Sequence, residues 1–82
     1  MLKLNKNIAI SDTGYVFDPS IGESYTLNPI GLEIVELLKA NKTDNEIKSI
    51  ILERYDVDDA TFERYYIDFT GMLKNYQLAK DE

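Results

Sequence analysis

The chain of 82 residues contains neither cysteine nor histidine. Without cysteine it can form no disulfide and no thiolate metal site. Without histidine it lacks the usual general base near neutral pH and the commonest metal ligand, so a Ser-His or Cys-His nucleophile cannot be built within it. A chain this short also has little room for an enclosed pocket. We therefore expect neither an enzyme nor a site for a metal or cofactor.

Positive charge and long apolar runs are also scarce. Fifteen acidic residues against nine basic ones give a net charge of −6, whereas proteins that bind the phosphate backbone usually carry the opposite sign. Apolar runs fall short of the ~20 residues that span a bilayer. Met1–Leu4 is followed by Asn5 and Lys6 rather than by the apolar segment of a signal peptide. The sequence thus predicts a cytoplasmic protein without a nucleic-acid or membrane partner.

The N-terminal third predicts three short antiparallel strands. Ile8–Ser11 and Tyr15–Asp18 are apolar and β-branched or aromatic, and a turn containing Gly14 separates them. After a second turn, Glu23–Leu27 alternates in polarity, which predicts a strand with one apolar and one polar face. This third strand is expected to lie at an edge of the sheet.

Three amphipathic helices are expected to follow. Asn28-Pro29 is a strong start for the first helix, and Thr43 with Glu46 forms a capping box for the second. The third is predicted over Asp59–Asn75, and the polar tail Ala79–Glu82 is predicted to fray. The pattern indicates an α+β, winged-helix-like fold with a three-stranded antiparallel sheet followed by three helices. We expect one domain over residues 1–82.

The third helix carries two apolar stripes. At roughly 100° per residue, the second stripe is offset from the first by about 70°. The sheet and two helices can cover the first stripe, whereas the second either faces a groove or only widens the apolar face of a small protein. Ile67 lies outside both. The first stripe is Phe62, Tyr66, Phe69 and Leu73, and the second is Tyr65, Met72 and Tyr76.

The spacing of the glycines and of the carboxylates does not match a known phosphate-binding or calcium-binding motif. The glycines are scattered and do not form a phosphate loop or a dinucleotide fingerprint. The carboxylates of the third-helix region do not follow the EF-hand pattern, and we interpret them as helix caps and a solvated face. What remains is the sheet edge, where an extended peptide can add as a further strand beside an apolar helix. The alternative is a short edge with no ligand.

The order of several short motifs resembles the PqqD family, the recognition elements for precursors of ribosomally synthesised and modified peptides. The resemblance spans about residues 4–78. The third helix departs from the family pattern at Tyr65, where members often carry Asp, and Gln77 stands where Gly is common. The matching motifs are Gly14–Phe17, Tyr25–Asn28, Thr43–Ile47, Tyr55–Asp58, and Phe69 with Leu73 and Leu78.

This resemblance implies that a precursor leader peptide docks along the third strand, in the cleft formed with the third helix. It also implies a non-catalytic protein that serves a modifying enzyme, often a radical-SAM protein. Leu27 and Asn28 are expected to act mainly as a core residue and a helix cap. The predicted peptide-binding residues are Ser24, Tyr25, Thr26, Leu27, Tyr65, Phe69, Met72 and Tyr76.

Two other functions are compatible with the sequence. The winged-helix pattern is also found in DNA-binding transcription regulators. Here, however, the third helix contains only two basic residues, Arg64 and Lys74, and three acidic ones, Asp59, Glu63 and Asp68. It would therefore repel the phosphate groups of DNA. The other alternative is an adaptor for protein partners unrelated to peptide modification.

Overall fold

The computed structural model describes residues 1–82 and shows strands before and after three helices. Its elements are β1 (Leu2–Leu4), β2 (Ala9–Ile10), β3 (Tyr15–Asp18), β4 (Glu23–Thr26), α1 (Pro29–Lys39), α2 (Asp44–Arg54), α3 (Asp59–Asn75) and β5 (Ala79–Asp81). An antiparallel sheet has the order β2-β3-β4, and β1 pairs with β5 in a separate ribbon. The predicted α+β fold is confirmed. None of the helices combines the length and apolar character needed to cross a membrane.

Side-chain caps fix where the three helices begin. The Asn28 side chain accepts the N–H of Gly31 at 2.8 Å. Thr43 and Glu46 bond reciprocally at 2.9 and 3.2 Å and form the predicted capping box. Asp58 accepts an N–H from the first turn of α3 at 2.7 Å, and this bond lowers the pKa of its carboxyl group. All three predicted helix starts are confirmed.

The C-terminal end of α3 requires a left-handed residue. The Leu78 N–H donates to the Leu73 carbonyl at 2.8 Å, and the Gln77 N–H donates to the Lys74 carbonyl at 3.0 Å. This pair of bonds defines a Schellman motif. Gln77 accordingly has φ of 60°, a conformation that favours glycine. Gln77 stands where the PqqD-like pattern has glycine, and the backbone there adopts the left-handed conformation that glycine favours.

We expect Gln77→Gly to stabilise the fold. Glycine removes a left-handed penalty of about 1–2 kcal/mol and adds an entropic cost of about 0.5–1 kcal/mol. The free energy of unfolding should therefore rise by about 0.5–1 kcal/mol, which moves the melting temperature by several degrees. Asn41→Gly is the matched control, because Asn41 ends α1 with φ of 63° but asparagine tolerates this region. Equal gains in the two variants, measured by thermal melts, would contradict the explanation.

The C-terminal tail is ordered, and the prediction that it frays is wrong. Ala79–Asp81 form β5, which pairs antiparallel with β1 in the register Leu2 to Asp81, Lys3 to Lys80 and Leu4 to Ala79. Ala79 is buried. The ribbon holds the two ends of the chain together and leaves β4 unoccupied by the tail.

A single core joins the sheet, the ribbon and all three helices. The first apolar stripe of α3 faces it, with Phe62, Phe69 and Leu73 buried and Tyr66 half-buried. Ile67 points to solvent with 66% of its surface exposed. The largest fully buried side chains are Ile34, Leu38, Ile47, Ile51, Leu73, Leu78, Val16 and Val35.

Candidate functional site

The outer edge of β4 carries unpaired backbone groups. In an antiparallel ladder, residues alternate between pairs that exchange hydrogen bonds and pairs that do not. The Leu27 N–H donates to the Gly14 carbonyl at 2.8 Å, and Tyr25 lies opposite Val16 two positions along. The bonded positions of β4 are therefore the odd-numbered ones. Ser24 and Thr26 lie between them and direct their N–H and C=O groups away from β3.

The side chains of β4 alternate between the interior and solvent. Tyr25 and Leu27 are half-buried and pack against the core, whereas Ser24 and Thr26 are exposed. This is the predicted division of faces, and it is confirmed. An added strand would therefore meet the backbone of Ser24 and Thr26 at the edge, beside the rings on the inner face.

The second apolar stripe of α3 lies beside β4. The rings of Tyr25 and Tyr76 have centroids 5.1 Å apart and are tilted by 35°. Tyr65 stacks on Phe69 with centroids 5.7 Å apart and an angle of 9° between the rings. Met72, between them along the helix, is half-buried. We call the region between the open edge of β4 and the stripe of Tyr65, Met72 and Tyr76 the groove.

Asn28 connects the exit of β4 to α3. Its side-chain oxygen accepts the Gly31 N–H at 2.8 Å and the Tyr65 hydroxyl at 3.1 Å. Burial raises the pKa of the Tyr65 phenol, so this group remains a protonated donor at neutral pH. The predicted role of Asn28 as a helix cap is confirmed, and its contact with Tyr65 was not predicted. Local spacing carries no signal for a contact between residues 37 positions apart.

Phe69 supports the groove from behind. Only 8% of its surface is exposed, and its ring stacks on Tyr65 and lies close to α1. A Cβ atom built onto Gly31 would lie 3.0 Å from the Phe69 ring, so the missing side chain lets the ring approach the α1 backbone. The predicted site residues thus lie on β4, at Leu27 directly after it, and on α3 including its C-cap, with Phe69 the most buried of them.

Acidic side chains of the α3 region act as a helix cap and in ion pairs. No group of three or more Asp or Glu residues is arranged to hold a metal ion. Asp58 caps α3, and Glu63 binds Lys48 at 2.7 Å. The interpretation of the acidic residues as caps is therefore confirmed for Asp58.

Comparisons with known proteins find one matching family and two similar solved structures. The model of the family described as coenzyme PQQ synthesis protein D (PqqD) matches residues 14–79. A structure of TbiB1 in complex with the TbiA(beta) leader peptide has 29% identity and a TM-score of 0.86, covering 98% of this chain and 96% of TbiB1. Lasso peptide synthetase B1 complexed with the leader peptide has 23% identity and a TM-score of 0.82, covering 98% of each chain, and shows the same fold. No curated protein matches in sequence.

Proposed function

Because the chain belongs to the PqqD family, we propose that it binds the leader of a ribosomally synthesised precursor peptide by β-strand addition and presents it to a modifying enzyme. The open edge of β4, with the backbone groups of Ser24 and Thr26 directed outward, is the observation that carries this proposal. The similarity to TbiB1, whose structure contains a leader peptide, supports it. No comparison supports the DNA-binding alternative.

The outer edge of β4 and the groove must both contribute to the free energy of leader binding. Ser24 and Thr26 offer two donors and two acceptors, and four backbone bonds contribute about 2–6 kcal/mol. Micromolar affinity requires about 8 kcal/mol, and ordering the peptide raises the requirement further. Each apolar side chain buried in the groove adds about 1.5–3 kcal/mol. The leader should therefore carry two or three apolar residues at alternate positions, because alternate side chains of a strand face the same side.

The residues have different roles in this proposal. The backbones of Ser24 and Thr26 pair with the leader, and Tyr25 and Leu27 form the inner face beside it. Tyr65, Met72 and Tyr76 form the helical wall, and Phe69 holds Tyr65 in place through their stacked rings. No chemical step is assigned to any of these side chains.

In the proposed function, the protein binds the leader and does not catalyse its modification. It acts in the cytoplasm, where the precursor is made, and delivers the leader to a separate modifying enzyme. A radical-SAM protein is one candidate for that enzyme, as the family resemblance implies. Neighbouring genes that encode a short precursor and a modifying enzyme would identify both partners.

The proposal predicts where a leader contacts the protein. Titrating a candidate leader into isotope-labelled protein should shift the NMR signals of residues 23–27 and of the groove side of α3. A peptide of the same composition in scrambled order is the control and should cause no saturable change. Shifts confined to other parts of the protein would contradict the proposal. Binding to duplex DNA near physiological ionic strength would instead favour a nucleic-acid function.

A further inference from the structure

Positive charge is concentrated around one depression of the surface, which lies outside the groove. The depression has a volume of about 1060 Å³ and is lined by β1, the loop after it, the ends of α1 and α3, and β5. Five of the nine cationic side chains of this acidic chain line it, and Glu82 is the one acidic lining residue. The five are Lys3, Lys6, Lys39, Lys74 and Lys80.

Most of these lysines have no acidic partner. Lys74 binds Asp81 at 3.1 Å. Lys3 donates to the neutral side-chain oxygen of Asn41 at 3.1 Å. The other ion pairs of the protein involve Lys48 and Arg54, so Lys6, Lys39 and Lys80 form none. The local charge is therefore positive although the net charge of the chain is −6.

Fold stability explains only part of this arrangement of lysines. Lys39 and Lys74 lie in the last turns of α1 and α3, where they favourably complement the helix dipoles. That explanation does not apply to Lys3 and Lys80, which face each other directly across the β1–β5 ribbon. Like charges in opposed positions destabilise a strand pair. An anionic partner would turn this unfavourable pair into a binding site.

We propose that the depression docks an acidic segment of the modifying enzyme that receives the leader. This inference rests on the proposed function. The rest of the surface is acidic and would repel a long polyanion such as nucleic acid, whereas a short acidic segment meets only the lysines. Gln77 lines the depression, and the adjacent Tyr76 contacts Tyr25 in the groove. An enzyme docked there lies next to the bound leader.

A charge-reversal experiment on the full chain tests this surface. The probe is a fluorescein-labelled poly-glutamate peptide, and its binding is followed by anisotropy at low and physiological salt. Lys6→Glu with Lys80→Glu should weaken binding about tenfold or more. Lys42→Glu with Arg64→Glu changes the net charge equally outside the depression and should change binding less than twofold. Because Lys80→Glu removes the like-charge pair with Lys3, the first variant should melt no lower than the wild type.

Three outcomes would overturn the inference. Equal weakening in both double variants would assign binding to net charge alone. Duplex DNA that binds more tightly than poly-glutamate would identify the depression as a nucleic-acid site. A leader affinity that falls in the Lys6 and Lys80 variant would make the depression part of the leader site. By contrast, a wild-type protein that binds poly-glutamate but no leader would contradict the proposed function and leave the acidic-segment site in place.

Discussion

Replacing Thr26 with proline is expected to abolish most leader binding while the fold survives. The change removes one outward N–H donor and places the proline ring where the added strand must approach. The lost hydrogen bond costs about 0.5–1.5 kcal/mol. The proline also displaces the neighbouring backbone hydrogen bonds between β4 and the leader. The total loss of leader affinity should therefore be on the order of a hundredfold.

The fold tolerates this proline because the Thr26 N–H does not pair with β3. Thr26 lies opposite Tyr15, and the Tyr15 carbonyl accepts the Ser11 N–H on the other side of β3 at 2.8 Å. Proline in a sheet is accepted on an edge strand whose N–H faces solvent. Tyr25→Pro is the contrasting variant, since it removes a donor directed at Val16 and should destabilise the sheet.

Thr26→Val is the matched control for Thr26→Pro. Valine keeps the backbone N–H and the β-branched shape, and it changes only the hydroxyl group to a methyl group, so leader affinity should stay within about threefold of the wild type. Calorimetric titration with the leader measures affinity, and circular dichroism melts establish that each variant is folded. If folded Thr26→Pro protein binds the leader as tightly as Thr26→Val protein, strand addition at β4 is the wrong mechanism.

Elements with local signals could be predicted from the sequence. The starts of α1 and α2 follow from the caps at Asn28 and Thr43, which act on N–H groups only three residues away. The 17 residues of α3 have a continuous helical period, and its predicted range, Asp59–Asn75, is the observed one. The faces of β4 follow from strict alternation. In each case, neighbours in the chain determine the structure.

Contacts between distant residues could not be predicted in the same way. β1 and β5 have three residues each, and neither forms a stable strand without its partner at the other end of the chain. The contact between the tilted rings of Tyr25 and Tyr76 depends on how α3 lies relative to β4, which no local pattern specifies. The sequence therefore predicts the alternation of β4 and the first apolar stripe of α3, but not that Asn28 and Tyr65 bind each other or that lysines from four elements converge.

Truncating Tyr76 to alanine is expected to remove the helical side of one end of the groove. Tyr76 is 46% exposed, and the centroid of its ring lies 5.1 Å from that of Tyr25. Large aromatic side chains of this kind often contribute about 2 kcal/mol to an interface, so leader affinity should fall about thirtyfold. The free energy of unfolding should fall less, by about 0.5–1.5 kcal/mol for the lost aromatic pair.

Ile67→Ala is the matched control on the same helix. Ile67 is an exposed apolar residue, with 66% of its surface in solvent, and it lies outside the stripe that borders the groove. Its truncation should change leader affinity less than twofold, whereas Tyr76→Phe should retain most binding because the ring remains. Fluorescence titration of all three variants with one leader shows whether the leader binds in the groove or on the solvent face of α3. If Ile67→Ala weakens binding as much as Tyr76→Ala, the leader lies on the solvent face of α3 and not in the groove beside β4.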